Sequence, residues 1–312
     1  MTMSAPVVKP QTPAGKLATF LEAIKFEHTI FALPFAYTGM LLAARGSASA
    51  PPTGNVGLPS LGQLLWITIA MAAARTFAMA LNRLIDREID ARNPRTANRA
   101  LPRRLISGAE MAASAAAAGV VLAFAAWQLN PLCLALMPGA VVILVAYSYT
   151  KRFTWLCHLV LGVAIGLAPI GAWSAITATV DPRSLVLGLA VATWIAGFDL
   201  LYACQDIEFD RATGLHSVPA RFGIAATLRA SSLLHVLTVG ALVATGLLMG
   251  LGAVYWLGVL VAAGLLVYEH SLLKPDDLSR LDLAFFNVNG YIAVILFAAT
   301  AGDIALSWWL AR

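Results

Sequence analysis

Charge is scarce in this chain. Only 12% of its 312 residues are Asp, Glu, Lys or Arg, about half of what a soluble domain carries. Cysteine is scarcer still. Cys133, Cys157 and Cys204 stand alone in or beside apolar runs, which excludes a clustered Cys metal site and leaves small buried thiols. The first sixteen residues are polar and hold Pro6, Pro10 and Pro13. No apolar run there has the length of a signal peptide. A nucleic-acid binder is excluded too, because it would carry an aromatic-studded basic surface on a soluble module.

What is present is hydrophobic length. Apolar residues make up 60% of the chain, and mean hydropathy is +0.79. Several runs approach the roughly 20 residues that cross a bilayer. The pattern predicts an all-α polytopic membrane protein with nine spans, at about 20–44, 62–85, 109–129, 131–149, 155–178, 184–204, 226–249, 251–271 and 283–302. Residues 1–18 read as a disordered cytoplasmic tail and 19–312 as one transmembrane domain. The breakers "GSASAPPTGNVGLPS", "NP" and "DPRS" fall between spans. The weakest junction is "GLG" at 250–252, where apolar sequence runs almost through.

Basic residues then give the orientation. Even-numbered gaps hold Arg87, Arg92, Arg95, Arg99, Arg103, Arg104, Lys151, Arg152, Arg211, Arg221, Lys274 and Arg280, while odd-numbered gaps hold Arg45 and Arg183. The positive-inside rule places the even gaps and the N-terminus in the cytoplasm. Net charge of +5 is thereby a matter of topology.

Acids are few, and they cluster. The chain has 16, six of them in "NRLIDREID" (82–90) and "QDIEFD" (205–210). Each patch ends a span on the same membrane face. Their separation, about four spans, suggests an internal repeat of spans one to four and five to eight, with the ninth added. On a helical wheel with Asn82 at zero, Arg75 falls at about 20°, Asp86 at about 40° and Asp90 at about 80°. With Asp199 at zero, Tyr202 falls at about −60°, Asp206 at about −20° and Asp210 at about 20°. Glu88 and Glu208 point off these stripes. Ionisable groups inside a span face a protein interior or a wet cavity, so four aspartates are expected at one cavity mouth.

Bare carboxylates so placed repel one another and need protons, arginines or metal ions. Hard oxygen ligands without His or Cys favour Mg²⁺, which takes one or two carboxylates plus substrate phosphates. Two such patches suit two Mg²⁺ ions gripping one diphosphate, with nearby Arg and Lys on the remaining oxygens. Walls rich in Ala, Leu and Val suit an apolar tail. A lipid diphosphate matches both halves, and its heterolysis leaves an allylic cation for a nucleophile to capture.

At these residues the chain resembles the UbiA superfamily of intramembrane prenyltransferases. "NRLIDREID" with "NPRTANRALP", "DLLYACQDIEFDRATGLHSVPARFG", "YSYTKR" (147–152) and "IKFEHTIFALPFA" (24–36) carry the likeness over nearly the whole chain. The resemblance implies nine helices around a central cavity under a cytoplasmic cap, in a bacterial inner membrane. It also implies Mg²⁺-dependent prenyl transfer. It assigns Asn82, Asp86 and Asp90 to one Mg²⁺–diphosphate set and Asp206 and Asp210 to the other. Asn82, Lys151 and Arg152 would meet diphosphate. Asp199 and Tyr202 match deeper polar positions. Arg83 stands where many members carry Asp, off the ligand stripe.

The pattern is most similar to the branch that prenylates 4-hydroxybenzoate for ubiquinone, with polyprenyl diphosphate and a small aromatic acid as partners. Arg75 then reads as the carboxylate clamp or as a structural partner of Asp199 or Asp206. Asp199 would orient or deprotonate the phenol, and Tyr202 would flank it. Arg95, Arg99 and Arg221 are cap-loop arginines among which the sequence does not choose, and Glu27 and His28 read as polar end residues. Other acceptors within the family, such as dihydroxynaphthoate, a haem side chain or a glycerol phosphate lipid, stay open. So does a secondary transporter, which would break its helices at mid-membrane; Pro34 and Pro169 mark where.

Overall fold

The computed structural model describes residues 13–25, 29–46, 57–281 and 287–310. Thirteen α-helices account for most of them: α1 (Pro13–Ala23), α2 (Thr29–Gly46), α3 (Leu61–Ile85), α4 (Arg87–Arg92), α5 (Gly108–Leu129), α6 (Pro131–Thr150), α7 (Cys157–Thr177), α8 (Pro182–Ala203), α9 (Ile207–Thr213), α10 (Val218–Phe222), α11 (Ile224–Met249), α12 (Ala253–Ser271) and α13 (Asn289–Leu310). No strand forms among the described residues, only an isolated bridge between Lys274 and Asp277. Among the described residues eight helices are long and apolar enough to cross a membrane: α3, α5, α6, α7, α8 with its α9 extension, α11, α12 and α13.

The ends of these helices follow local chemistry. Ser60 and Ser107 open α3 and α5 with capping boxes closed by Gln63 and Glu110. Asn130 and Asp181 cap α6 and α8 ahead of Pro131 and Pro182. The junction at "GLG" is a real turn: Gly250 takes φ +56° and stops α11.

The first expected span, 20–44, is not one helix. α1 runs to Ala23, and α2 begins at Thr29. Glu27 and His28 lie outside the described residues, as do positions 1–12 of the expected tail. Positions 13–18, expected in the tail, are helical. Of the expected ninth span, 283–302, positions 283–286 lie outside the described residues, and α13 carries the rest from Asn289 on to Leu310. Proline does not break α2 or α7: both run through Pro34 and Pro169, so the mid-membrane breaks that mark a transporter are absent from these two helices.

Helices α7 and α8 pack against each other most extensively, and α11, α2 and α13 extend that layer. Close approach depends on small residues. A Cβ on Gly162 would collide with the Ala192 carbonyl, and one on Gly166 would lie 2.7 Å from the Gly188 carbonyl. Spacings of four on both helices make a seam of small residues, the contact that lets backbones touch in lipid. Gly162→Leu should therefore force the pair apart at a cost of about 3 kcal/mol, read as a lowered melting temperature in detergent.

Candidate active site

Both acidic patches end a long helix in the same way. Asp86 closes α3 at φ −93°, ψ 8°. Asp206 closes a 3₁₀ turn after α8 at φ −102°, ψ 6°. A short helix follows each break, α4 in one case and α9 in the other. The helical-wheel stripes therefore hold only up to Asp86 and Asp206. Asp90 and Asp210 sit on new helix axes, re-aimed by the break, and both are buried.

Each of the four aspartates meets a cation. Arg152 Nη2 lies 3.2 Å from Asp86 Oδ1. Arg99 Nη1 donates to both Asp90 oxygens at 2.8 Å. Arg95 forks onto Asp206, with Nε donating at 2.9 Å and Nη2 at 2.6 Å. Lys151 Nζ stands 2.8 Å from Asp210 Oδ1. That approach is purely ionic, because this oxygen accepts no hydrogen bond.

These pairs tie the two patches together. Residues 93–99 follow α4, yet Asn93 and Arg95 both bond Asp206 of the second patch, the former at 2.9 Å. The neighbours Lys151 and Arg152 reach one patch each. An opening of about 250 Å³ lies between α4 and α9, with Glu88, Arg92, Arg152, Phe209 and Thr213 on its wall. Asn82 completes the first patch, donating to Asp86 Oδ2 at 2.9 Å and to Ser148 Oγ at 3.3 Å. Burial pushes the Asp86 carboxyl above its ordinary value, and the Asp90 charge adds to this, against the pull of Arg152.

The deeper residues divide. Tyr202 joins the acidic cluster: its hydroxyl accepts from Arg95 Nη1 at 2.9 Å, and the guanidinium lies 5.0 Å from its ring centre. Asp199 bonds His158 instead, Oδ2 to Nδ1 at 2.7 Å. Arg75 donates to the Lys25 carbonyl at 3.0 Å. The alternative that pairs Arg75 with Asp199 or Asp206 is not what the structure places there, since Asp199 holds His158, and Asp206 holds Asn93 and Arg95. Arg75 and Tyr147 line a half-open cavity of about 470 Å³ formed mainly by α3, α5, α6 and α7, whose other walls are almost wholly apolar.

Residues 32–291 match the UbiA prenyltransferase family. The chain belongs to that family. It is 33% identical over 257 residues to the 4-hydroxybenzoate octaprenyltransferase of Vibrio cholerae, covering 81% of this chain and 87% of that one. Its fold matches the apo structure of a UbiA homolog from Aeropyrum pernix K1, with TM-score 0.79, 32% identity, and 89% and 98% of the two chains covered. A UbiA homolog from Archaeoglobus fulgidus, bound to GPP and Mg²⁺, shares the fold at TM-score 0.67 and 21% identity, with 92% and 99% covered. This UbiA chain is accordingly a prenyltransferase, and its eight long apolar helices make it an integral membrane enzyme.

The acids of this UbiA chain fit a metal ion of the kind the resemblance implies. Among the described residues no three His, Cys, Asp or Glu side chains converge on one point, so there is no preformed all-protein cage. Mg²⁺ does not ask for one, since it takes one or two carboxylates and fills its shell with phosphate and water. The buried Asp210 Oδ1, which accepts no hydrogen bond, is a hard oxygen of the required type.

Several functional contacts escaped sequence reasoning. Arg83 is buried, donates to the Ala23 carbonyl at 2.9 Å and approaches Asp90 to 3.8 Å. Its place off the stripe ceased to matter once α4 turned Asp90 back toward it. Arg95 and Arg99 were two among several loop arginines. His158 carried one legible signal, an ionisable residue near the start of an apolar run.

Proposed function

We propose that this prenyltransferase moves a polyprenyl group from polyprenyl diphosphate to 4-hydroxybenzoate in ubiquinone biosynthesis, with Mg²⁺ as cofactor. The observation that carries the reading is four aspartates, each matched to its own Lys or Arg, beside an apolar cavity that holds one arginine. Such a set is built to change partners. In the absence of substrate the cations neutralise the acids. With substrate, the same cations are free for phosphate oxygens while the acids face divalent metal. The acceptor named for the Vibrio cholerae relative and the Mg²⁺ and GPP of the Archaeoglobus fulgidus homolog support both halves.

The residues then take these roles. Asp86, Asp90, Asp206 and Asp210 would hold Mg²⁺, which when bound supplies charge neutralisation of the departing diphosphate. Asn82, Lys151 and Arg152 grip the diphosphate, with Arg95 and Arg99 joining them. Asp199 hydrogen-bonds the acceptor hydroxyl and takes its proton as the neighbouring ring carbon attacks the allylic cation. The ring proton leaves to the released diphosphate, which restores aromaticity, and Asp199 returns its proton to the oxygen. Tyr202 flanks the ring, and Arg75 clamps the acceptor carboxylate. The site opens to the cytoplasm of a bacterial inner membrane, following the basic loops.

Purified protein supplied with Mg²⁺, a polyprenyl diphosphate and either 4-hydroxybenzoate or dihydroxynaphthoate tests this. Mass spectrometry should find the prenyl chain on 4-hydroxybenzoate. A chain found on dihydroxynaphthoate alone would move the enzyme to the menaquinone branch. Arg75→Ala should raise KM for the aromatic acid about 100-fold, the loss of one charge-assisted pair, with the lipid KM little changed. Equal effects on both substrates would remove Arg75 from the acceptor site.

A further inference from the structure

The His158–Asp199 pair stands apart from the acidic cluster. His158 is buried near the start of α7, and Asp199 is on α8, its side chain 25% exposed. One Asp199 oxygen, Oδ2, meets His158 Nδ1 at 2.7 Å. The other, Oδ1, makes no hydrogen bond among the described residues. The far ring nitrogen, Nε2, accepts from the Val218 backbone N–H at 3.4 Å. That amide is one of the orphan donors at the start of α10, and it holds Nε2 as an acceptor. The proton of a neutral imidazole is then on Nδ1, pointed at Asp199.

We infer that His158 is a positioning residue for acceptor activation: it fixes the orientation of the Asp199 carboxyl, with Oδ1 presented to the acceptor hydroxyl. This rests on the prenyl-transfer reading above and adds to it a residue, a tautomer and a direction of proton flow. The hydroxyl O–H breaks, its proton goes to Asp199 Oδ1, and the electron pair enters the ring as the carbon–carbon bond to the prenyl cation forms. His158 donates throughout and changes no bond.

The same histidine links the acceptor side to the diphosphate side. Val218 follows Ser217, whose hydroxyl donates to Asp210 Oδ2 at 2.8 Å. His216, one residue earlier, donates its backbone N–H to the Lys151 carbonyl at 2.8 Å. Titratable groups around the pair are thus Cys157 beside it on α7, Tyr202 one turn along α8, and Lys151, Asp210 and His216 across the 216–218 segment. From α11, His235 packs on Gly197, about 200° around α8 from Asp199. From α2, Tyr37 is bonded to Thr68 at 2.8 Å.

The test compares His158→Leu with His158→Asn, whose amide nitrogen falls near Nδ1 and can still donate to Asp199. Both are assayed for prenyl transfer, with melting temperature as the folding control. His158→Leu should lower kcat about 100-fold and leave the KM for polyprenyl diphosphate within about threefold. His158→Asn should recover at least about tenfold of that loss. An Asn variant that folds and is as inactive as Leu, or a Leu variant whose loss lies in the KM for polyprenyl diphosphate instead of in kcat, would overturn the inference. If His158→Leu does not fold, the kcat of His158→Asn decides: a value within about tenfold of the parent supports the role, and a fall of about 100-fold defeats it. A parent protein with no transfer to any acceptor would defeat the functional reading itself. An active parent matched by His158→Leu would defeat only this inference.

Discussion

Asp86→Asn and Asp206→Asn, made singly, will each lower turnover by about 10³-fold or more, the scale of losing a group aimed at developing charge. Both proteins will remain folded. The two variants will differ in stability. Asp86 is held above its ordinary pKa, first by burial and then by Asp90, despite Arg152. A carboxyl raised on folding is bound more tightly to its proton in the native state. Its ionisation therefore costs stability as pH rises through the carboxylate range, and the cost is absent at lower pH. In metal-free buffer the parent should lose stability over that window relative to Asp86→Asn, which should melt higher at neutral pH. A parent–variant difference in melting temperature that does not change across the window, or an Asn variant that melts lower at neutral pH, would contradict this account. Asp206→Asn should melt lower, since it gives up the Arg95 fork.

Arg95→Ala carries the second large effect. Arg95 contacts Asp206 twice and Tyr202 once, so among the described residues its loss leaves a buried carboxylate with Asn93 as the remaining donor. Without metal this should cost about 1–3 kcal/mol, read as a drop in melting temperature. Added Mg²⁺ with an unreactive diphosphate analogue should recover most of the drop, because both supply the missing positive charge to the acids. Turnover should fall about 100-fold through weaker grip on the leaving group. If the ligands stabilise the variant no more than the parent, partner exchange is not how this site works.

The two patches show how far a linear reading reaches. Asn82, Asp86, Asp90, Asp206 and Asp210 were legible because acids are rare here and ionisable groups at the end of a membrane span are costly. Their partners were less so. The wheel assumed continuous helices, and the breaks at Asp86 and Asp206 ended that assumption. Arg83, dismissed for its angle, reaches Asp90 because α4 starts a new axis. Arg95 was indistinguishable from its loop neighbours until the chain after α4 crossed to the second patch. His158 and Asp199 are 41 residues apart, and nothing local announces the pair.

By itself the sequence determined that the chain is helical and membrane-embedded, and it singled out two acidic patches as the candidate site. Those properties are written in apolar run length and in the scarcity of charge, which need no contacts to be read. Only the tertiary structure decided which cation neutralises which acid, where the helices break, and that a histidine on α7 holds an aspartate on α8. Such pairings join residues distant along the chain, and their geometry exists only after the small-residue seams have brought the helices together.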